Sequence, residues 1–313
     1  MNVLVTGATG FVGRHLLPLL RERGDEVRAL VRREADERRL REEGIDVVRG
    51  HICDTDAVRR AVSGRELVFN AAGVVAHERR DVPRLRAANV DGVATVLGAL
   101  ERDARLVHVA SLSTIGPAPS PDRPAHEEQP FLDEAGRLPY VASKRAGERL
   151  VLAAVERGLD AVVANPGFLL GPGDVYGVST WPVHRYLQGT LRIHTAGGLS
   201  VADARDVAAG LVAVAERGRT GERYILTSAE GNFAWPDFFA RLAAVTGARR
   251  RMIGLPPALA RAGSHVIRWP VKPGELRLAT FWWFATPAKA ERELGYTSRP
   301  VDETLAATAA HSR

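Results

Sequence analysis

The chain has 313 residues, of which 45% are hydrophobic and 26% are charged, a composition that excludes disordered and fibrous proteins. Its 43 basic and 37 acidic side chains are interleaved, so the net charge of +6 indicates a solvated, arginine-rich surface rather than a nucleic-acid site. One cysteine, Cys53, excludes an intramolecular disulfide and a multi-cysteine metal site, and we expect no bound metal.

The sequence also bears on the compartment and the partners of the protein. No uncharged apolar run approaches the ~20 residues of a membrane span, and the N-terminus lacks the pattern of a signal peptide. We therefore expect a cytoplasmic protein without stable membrane insertion, whose partner is a small-molecule substrate. Whether the chain forms a homodimer stays open at this point.

The first half of the chain alternates short apolar runs with helical patterns. The runs are rich in β-branched residues and apolar on both faces, which predicts buried parallel strands at 2–6, 26–31, 45–49, 67–70, 105–110 and 161–165. The patterns between them predict helices at 11–23, 35–43, 54–63, 82–102 and 141–157. Repeated strand–helix–strand units predict an α/β fold with a doubly wound parallel Rossmann sheet.

The order changes twice along the chain. Residues 116–139 are rich in proline and acid and predict a long loop over a site. Beyond Pro166 the alternation loosens, with helices predicted at 181–188, 203–217, 235–246, 256–269 and 287–294 and a strand at 223–227. We expect a dinucleotide-binding domain at 1–166, to which 201–227 returns, and a smaller C-terminal substrate-binding cap formed by 167–200 and 228–313.

A glycine-rich turn separates the first predicted strand from the first helix. Such a turn lets the backbone approach a pyrophosphate, and a helix N-terminus supplies free N–H groups and a positive dipole end. The glycines Gly7, Gly10 and Gly13 have the spacing Gly-x-x-Gly-x-x-Gly rather than Gly-x-Gly-x-x-Gly. The prediction of a dinucleotide site therefore depends on the context, a strand before the turn and a helix after it.

The end of the second predicted strand bears on the choice of cofactor. An acid at this place would bind the ribose 2′-hydroxyl of NAD, whereas an arginine can hold the 2′-phosphate of NADP. The chain reads Leu30-Val31-Arg32-Arg33, with no acid before Glu34. We therefore predict that NADP(H) is preferred over NAD(H), although two surface arginines would give the same pattern.

Tyr140 and Lys144 lie four residues apart at the start of a predicted helix, so both face the same side. A neighbouring ammonium stabilises a phenolate and lowers a tyrosine pKa that is ordinarily near 10. Only three of the 43 basic residues are lysine, which singles out Lys144 in a chain that otherwise uses arginine. We predict a tyrosine–lysine pair for proton transfer.

Hydroxyl groups follow the fifth predicted strand, at the sheet edge where ligands bind in this architecture. Ser111 is the first candidate to hydrogen-bond a reacting oxygen, with Ser113 as the competitor and Thr114 as a third. Any of the three could instead cap a helix.

Taken together, these motifs resemble the extended short-chain dehydrogenase/reductase superfamily over nearly the whole chain, and within it the branch of dihydroflavonol reductases and 3β-hydroxysteroid dehydrogenases. The motifs are the turn from Thr6 to Gly13, Asn70-Ala71-Ala72-Gly73, Asn89-Val90-Asp91-Gly92, Ser111, Tyr140-x-x-x-Lys144, and Asn165-Pro166-Gly167-Phe168-x-x-Gly171-Pro172-Gly173-Asp174. The resemblance implies a catalytic triad of Ser111, Tyr140 and Lys144. It also implies a cofactor site formed by Gly7, Thr9, Gly10, Phe11, Val12, Gly13, Arg32, Arg33, Ile52, Ala71, Ala72, Gly73, Tyr140, Lys144, Pro166, Gly167 and Phe168.

The sequence departs from the family pattern at three places. His51 stands where many members have an acid that contacts adenine. Asn165 replaces an arginine that is common in nucleotide-sugar members. Ser111-Leu112-Ser113 replaces the Thr-Asp-Glu of the dehydratases, which disfavours dehydration.

The predicted cap carries most of the large aromatic residues and all five tryptophans. They could form an apolar substrate pocket or simply an ordinary core: Phe168, Trp181, Tyr186, Trp235, Trp269, Phe281, Trp282, Trp283 and Phe284. We name Ser113, Phe168 and Trp181 as substrate-contacting candidates. Asp206 is expected to cap a helix.

Three functions are compatible with these features. The first is an NADP(H)-dependent oxidoreductase that reduces a carbonyl, or oxidises the alcohol, on a small-to-medium hydrophobic substrate. The second is an NAD-dependent sugar epimerase on the same fold. The third is a catalytically silent NADP-binding sensor, against which the intact Ser111, Tyr140 and Lys144 set argues.

Overall fold

A computed structural model of the protein describes residues 1–263 and 271–311. The strands, in chain order, are β1 (Asn2–Thr6), β2 (Glu26–Val31), β3 (Asp46–Arg49), β4 (Leu67–Asn70), β5 (Arg105–Val109), β6 (Ala161–Pro166), β7 (Phe168–Leu170), β8 (Ile193–Thr195), β9 (Gly198–Asp203), β10 (Arg223–Leu226), β11 (Asn232–Ala234) and β12 (Ile253–Leu255).

The α-helices alternate with these strands in the first half of the chain and predominate after β10. They are α1 (Gly13–Glu22), α2 (Glu34–Glu42), α3 (Thr55–Val62), α4 (Val82–Arg86), α5 (Gly92–Ala99), α6 (Leu112–Ile115), α7 (Pro139–Val155), α8 (Trp181–Leu187), α9 (Ala204–Arg217), α10 (Trp235–Thr246), α11 (Pro257–Gly263), α12 (Pro273–Leu278), α13 (Ala288–Leu294) and α14 (Val301–Ala310). Short 3₁₀ turns lie at Arg79–Asp81 and Ala135–Arg137, and a π-helical turn lies at Ala87–Asp91.

Seven parallel strands form the central sheet in the order β10-β6-β5-β4-β1-β2-β3. Apolar residues of α1 and α9 pack on one face of the sheet, and those of α3, α5 and α7 pack on the other. Because both faces are covered, the strands are apolar throughout, as the sequence pattern indicates. The predicted α/β fold with a doubly wound parallel Rossmann sheet is confirmed.

The second lobe is built around two small sheets, β11-β9-β7 and β12-β8. Its core contains Tyr186, Phe238 and Phe239 together with aliphatic residues from α12 and α14. The chain passes repeatedly between the lobes, because β10 pairs with β6 in the central sheet although it follows β9 in sequence. The loop predicted at 116–139 is fixed across the C-terminal segment by bonds from Ala118 N to Trp282 O (2.7 Å) and from Ala125 N to Phe284 O (2.8 Å).

Several element boundaries differ from the predictions for local reasons. The helix predicted at 82–102 is divided by the π turn and ends at Ala99. Asp54 caps α3 by accepting bonds from Asp56 N and Ala57 N at 3.1 Å. The expectation that Asp206 caps a helix is wrong. Asp203 caps α9, and Asp206 instead accepts bonds from Arg299 at 2.8 Å.

The last predicted helices and the absence of a predicted membrane span can also be compared with the structure. The helix predicted at 256–269 corresponds to α11 up to Gly263, and its continuation, with Trp269, lies outside the described residues. Within the described part of the chain, every helix is too short or too polar to traverse a lipid bilayer.

Candidate active site

The glycine turn packs so closely that side chains are excluded from it. Gly7 has φ +69°, and a Cβ there would lie 2.6 Å from the Ala71 carbonyl oxygen. A Cβ at Gly13 would lie 2.3 Å from the Gly7 oxygen, and Gly10 donates its N–H to the same oxygen at 2.9 Å. This close packing leaves the N-terminus of α1 accessible from the cavity, as a bound pyrophosphate requires.

A buried chain of polar groups joins the ends of β1, β4 and β5 beside this turn. Thr6 Oγ1 donates to Asn70 Oδ1 at 2.8 Å and accepts from Ala72 N at 3.1 Å. Asn70 Nδ2 lies 3.3 Å from His108 Nδ1. Burial, with a smaller contribution from the Lys144 charge, lowers the pKa of His108 to about 3, so the ring is neutral. These bonds fix the sheet edge on which the candidate site is built.

A cavity of about 680 Å³ lies between the two lobes. Its wall includes nearly all of the residues predicted to bind cofactor or substrate, and also His51. Those that line it are Gly7, Thr9, Gly10, Phe11, Val12, Gly13, Arg32, Ile52, Ala71, Ala72, Gly73, Ser111, Ser113, Tyr140, Lys144, Pro166, Gly167, Phe168 and Trp181. The cavity thus brings together residues that are distant in sequence, whereas Arg33 is not part of its lining.

Tyr140 and Lys144 occupy the first turns of α7 and both face the cavity. Burial raises the pKa of Tyr140, and a hydrogen bond with the Ser111 side chain opposes this rise. The direction is opposite to the sequence-based expectation, because burial dominates. The Lys144 ammonium is directed to the Val109 carbonyl, to which Nζ donates at 2.8 Å. The side chain of Lys144 is itself buried, which lowers its pKa to about 8.

Ser111 caps a helix and also lines the cavity. As the N-cap of α6, its Oγ accepts from Ser113 N at 3.2 Å, which leaves the hydroxyl proton to be donated to Tyr140 or to a ligand. Ser113 Oγ is buried in the cavity wall and has no hydrogen-bond partner among the described residues. Both serines can therefore donate to a ligand oxygen.

Behind Ser111 lies a buried polar network that the sequence analysis missed. The Glu148 carboxylate accepts from Asn165 Nδ2 at 2.8 Å and from Thr114 Oγ1. Arg223 of β10 approaches the same carboxylate at 3.6 Å. Asn165 Nδ2 also lies 3.2 Å from the Ser111 carbonyl, so this network holds the end of β5 against α7. Its only sequence signal is the placement of polar residues in otherwise apolar elements.

The segment after β4 is held by a residue of the π turn. Asn89 accepts from Val74 N at 2.8 Å, donates to Val74 O at 2.9 Å, and donates to Ser143 Oγ at 3.0 Å. A Cβ at Gly73 would lie 3.2 Å from the Asn89 oxygen and 3.7 Å from Lys144 Nζ. The π turn thus positions the segment after β4 beside Lys144. Single π turns within helices are often found at functional sites.

Arg32 and Arg33, adjacent in sequence, have different surroundings. Arg32 is exposed and lines the cavity, without a hydrogen bond or ion pair to any described residue. Arg33 Nε pairs with Asp36 at 2.7 Å, and its Nη2 donates to the Tyr176 hydroxyl at 2.8 Å. Arg32 is therefore free to meet a phosphate, whereas Arg33 is already engaged by an acid and a phenol.

Aromatic side chains form the part of the cavity wall that belongs to the second lobe. Phe168 meets Trp235 edge-to-face with ring centroids 6.4 Å apart, and Trp181 and Trp283 also line the cavity. Tyr186, in contrast, is stacked in the core. On the opposite side His77 lies edge-to-face on the Tyr140 ring at 5.6 Å, and burial lowers its pKa to about 4.

Comparisons with known proteins agree with this architecture. Residues 3–226 match the model of the NAD dependent epimerase/dehydratase family. A ketoreductase of 4-hydroxy-2-methyl-3-oxo-4-farnesyl-3,4-dihydroquinoline-1-oxide from Stigmatella aurantiaca is 31% identical, over 96% of this chain and 92% of that protein. A ceramide reductase from Caulobacter vibrioides is 30% identical, over 85% of this chain and 78% of that protein.

Solved structures show the same fold. The crystal structure of gox2253 is 28% identical, with a TM-score of 0.87 over 99% of this chain and 97% of that chain. The UDP-glucose 4-epimerase of Thermus thermophilus, in complex with NAD, gives a TM-score of 0.78 at 23% identity, over 100% of this chain and 99% of that chain.

The chain belongs to the NAD dependent epimerase/dehydratase family, the extended short-chain dehydrogenases/reductases. It is an oxidoreductase that acts on CH–OH or C=O groups with a pyridine nucleotide. The glycine turn fits such a cofactor, because it is free of bulky side chains at Gly7, Gly10 and Gly13 and lines the cavity at the N-terminus of α1.

Proposed function

We propose that the protein is an NADP(H)-dependent carbonyl reductase, working in either direction, on a small-to-medium hydrophobic substrate. The observation that carries this proposal is the continuity of one cavity, from the glycine turn past Ser111, Tyr140 and Lys144 to the aromatic wall at Phe168 and Trp235. A substrate seated on that wall would meet the hydroxyl groups at the sheet edge. Two relatives named for reductions of a farnesylated quinoline oxide and of ceramide support an apolar substrate.

Each member of the triad has a chemical role that matches its surroundings. When bound, the nicotinamide supplies or accepts the hydride. As negative charge develops on the carbonyl oxygen, Ser111 donates a hydrogen bond to it and Tyr140 gives it a proton. The raised pKa of Tyr140 keeps the phenol protonated at neutral pH, which is the form that a proton donor needs.

Lys144 contributes as a charge. With its pKa at about 8, the Lys144 amine is mostly protonated at pH 7. Its place beside Gly73 allows it to bind a ribose hydroxyl. Arginine would not replace it well, because a guanidinium is a wide, planar fork rather than a compact charge.

The preference for NADP(H) is supported by the position of Arg32 and the absence of an acid at the end of β2. An exposed guanidinium in the cavity wall can pair with a 2′-phosphate through charge-assisted hydrogen bonds. Arg33 is the weaker of the two candidates, since Asp36 already neutralises it.

The test is a Tyr140→Phe variant assayed with apolar ketones and NADPH. This change keeps the ring and removes the transferable proton, so turnover should fall about 10²–10⁴-fold while NADPH still binds. Tyr296→Phe is the matched control, because that phenol is buried outside the cavity and lacks a partner in the described chain. Reduction by Tyr140→Phe at the parent rate would refute the mechanism, and tightly retained NAD in the purified protein would favour the epimerase instead.

A further inference from the structure

The far wall of the cavity contains polar groups that the proposed reduction does not use. Thr195, at the end of β8, lines the cavity and is only 1% exposed. Its Oγ1 is buried and has no hydrogen-bond partner in the part of the chain that the structure describes. His194, the preceding residue, also lines the cavity, and its Nδ1 is buried without a partner there.

Burying a hydroxyl without a partner is unfavourable, so such groups are uncommon in folded proteins and call for an explanation. Nine buried side-chain polar atoms of the described residues lack a hydrogen bond, and three of them belong to residues that line this cavity: Ser113, His194 and Thr195. Ser113 stands at the triad end. His194 and Thr195 stand on the edge of the second lobe, in the two-stranded sheet that β8 forms with β12.

Most of the remaining second-lobe lining is apolar, although Asp174, Ser179 and Glu275 also line the cavity. Leu191, Ile193, Trp235 and Phe239 lie on the second-lobe side. A ligand that satisfies these unpartnered groups would therefore carry two polar functions on an otherwise apolar body. The carbonyl accounts for the first polar function, and nothing in the proposed reduction accounts for the second.

We propose that the cavity has a distal polar subsite, in which Thr195 hydrogen-bonds a second oxygen function of the substrate, at the end remote from the reacting carbonyl. This inference rests on the proposed reductase function and specifies its substrate class: an elongated apolar ketone with a distal hydroxyl. A hydroxyl suits the subsite because it can accept from the threonine O–H and also donate. His194 supplies a further polar group on the same strand.

The direct test compares two straight-chain methyl ketones, one plain and one with a hydroxyl at the far terminus, across a short series of chain lengths. At the best length the parent protein should favour the hydroxylated ketone in kcat/KM by about threefold to tenfold, the worth of one hydrogen bond. Thr195→Val preserves the side-chain shape and removes the hydroxyl. It should abolish this preference and reduce the plain ketone at least as well as the parent.

Ser228→Ala is the matched control, because Ser228 Oγ is likewise buried and unpartnered among the described residues but lies outside the cavity. This variant should keep the preference of the parent. Equal kcat/KM for both ketones at every length in the parent, or an unchanged preference in Thr195→Val, would overturn the subsite.

A binding measurement separates this proposal from the reductase assignment. The secondary alcohols that correspond to the two ketones are titrated by calorimetry into the parent and Thr195→Val proteins in the presence of NADP⁺. Tighter binding of the diol to the parent alone supports the subsite even if neither ketone is reduced, in which case only the proposed reaction fails. Equal binding of both alcohols to the parent overturns the subsite.

Discussion

Lys144 is expected to destabilise the fold at neutral pH, and Lys144→Met measures by how much. Its side chain is 8% exposed, and burial lowers its pKa from 10.5 to about 8. At about 1.4 kcal/mol per pKa unit, keeping the buried ammonium charged costs about 3 kcal/mol. Methionine has a similar length and no charge, so the substitution removes this cost. Losing the bond to the Val109 carbonyl offsets about 1 kcal/mol, which leaves a net gain of about 2 kcal/mol.

The pH dependence of this gain follows from the lowered pKa. Below pH 8 the lysine is protonated in both the folded and the unfolded protein, so the full cost applies. Between pH 8 and about 10.5 the folded protein loses the proton first, and parent stability rises because the unfolded state binds more protons. The advantage of Lys144→Met should therefore shrink above pH 8 and reverse near pH 10.

Urea unfolding of the parent and Lys144→Met proteins without cofactor, at a series of pH values from 6 to about 10, measures both quantities. Other titrating groups are common to the two proteins, so the difference in the free energy of unfolding isolates Lys144. Lys144→Ala is a useful control, since it also removes the charge but leaves a cavity. Parallel pH profiles, or a loss of stability in Lys144→Met at pH 7, would refute the assignment of a buried, destabilising ammonium.

Three further outcomes are expected. In fluorescence titrations, Arg32→Ala should weaken NADPH binding about 10- to 100-fold and leave NADH binding nearly unchanged, because a charge-assisted bond to the 2′-phosphate is lost. Arg33→Ala should have a smaller effect. Equal losses for both nucleotides in Arg32→Ala would contradict the proposed phosphate contact. In steady-state assays, Ser111→Ala should lower kcat about 10²–10³-fold at unchanged NADPH affinity, and a larger loss in Ser113→Ala would reverse the order of the two serines. Gly13→Ala should abolish nucleotide binding in the same titrations, because its Cβ would lie 2.3 Å from a carbonyl oxygen of the turn, and normal affinity would show that the turn can relax.

The sequence predicts the central sheet well, because its strands are continuous apolar runs separated by helical patterns, as expected of parallel strands that are buried on both faces. The candidate site follows from the same regularity. Once the parallel order is known, the ends of β1, β4, β5 and β6 must meet at one edge, so motifs far apart in sequence converge on one cavity. Arg33 shows the limit of this reasoning, since its bond to Tyr176 depends on a loop from the second lobe, although its pairing with Asp36 is local.

Features that depend on contacts between distant segments are beyond such patterns. The π turn at Ala87–Asp91 contains Asn89, which bonds to Val74, and no hydrophobic periodicity in the sequence predicts this turn. The strands β8 and β12 have three residues each and form only because they pair with each other. Asp203 and Asp206 are both acids near the start of α9, and the choice follows from where β9 ends: Asp203 is the last residue of β9 and accepts from Arg205 N, whereas Asp206 lies inside the first turn.

The place of β10 in the central sheet has a consequence for the biosynthesis of the protein. β6 pairs on one side with β5, and its other edge is covered only by β10, whose residues follow the β7 and β9 excursion. Arg223 of β10 also approaches Glu148 on α7. A nascent chain that has not yet reached residue 226 therefore exposes an unpaired apolar strand edge, which is a template for aggregation. Chaperone contacts at this strand edge should accordingly end once β10 has emerged, before the C-terminus is made.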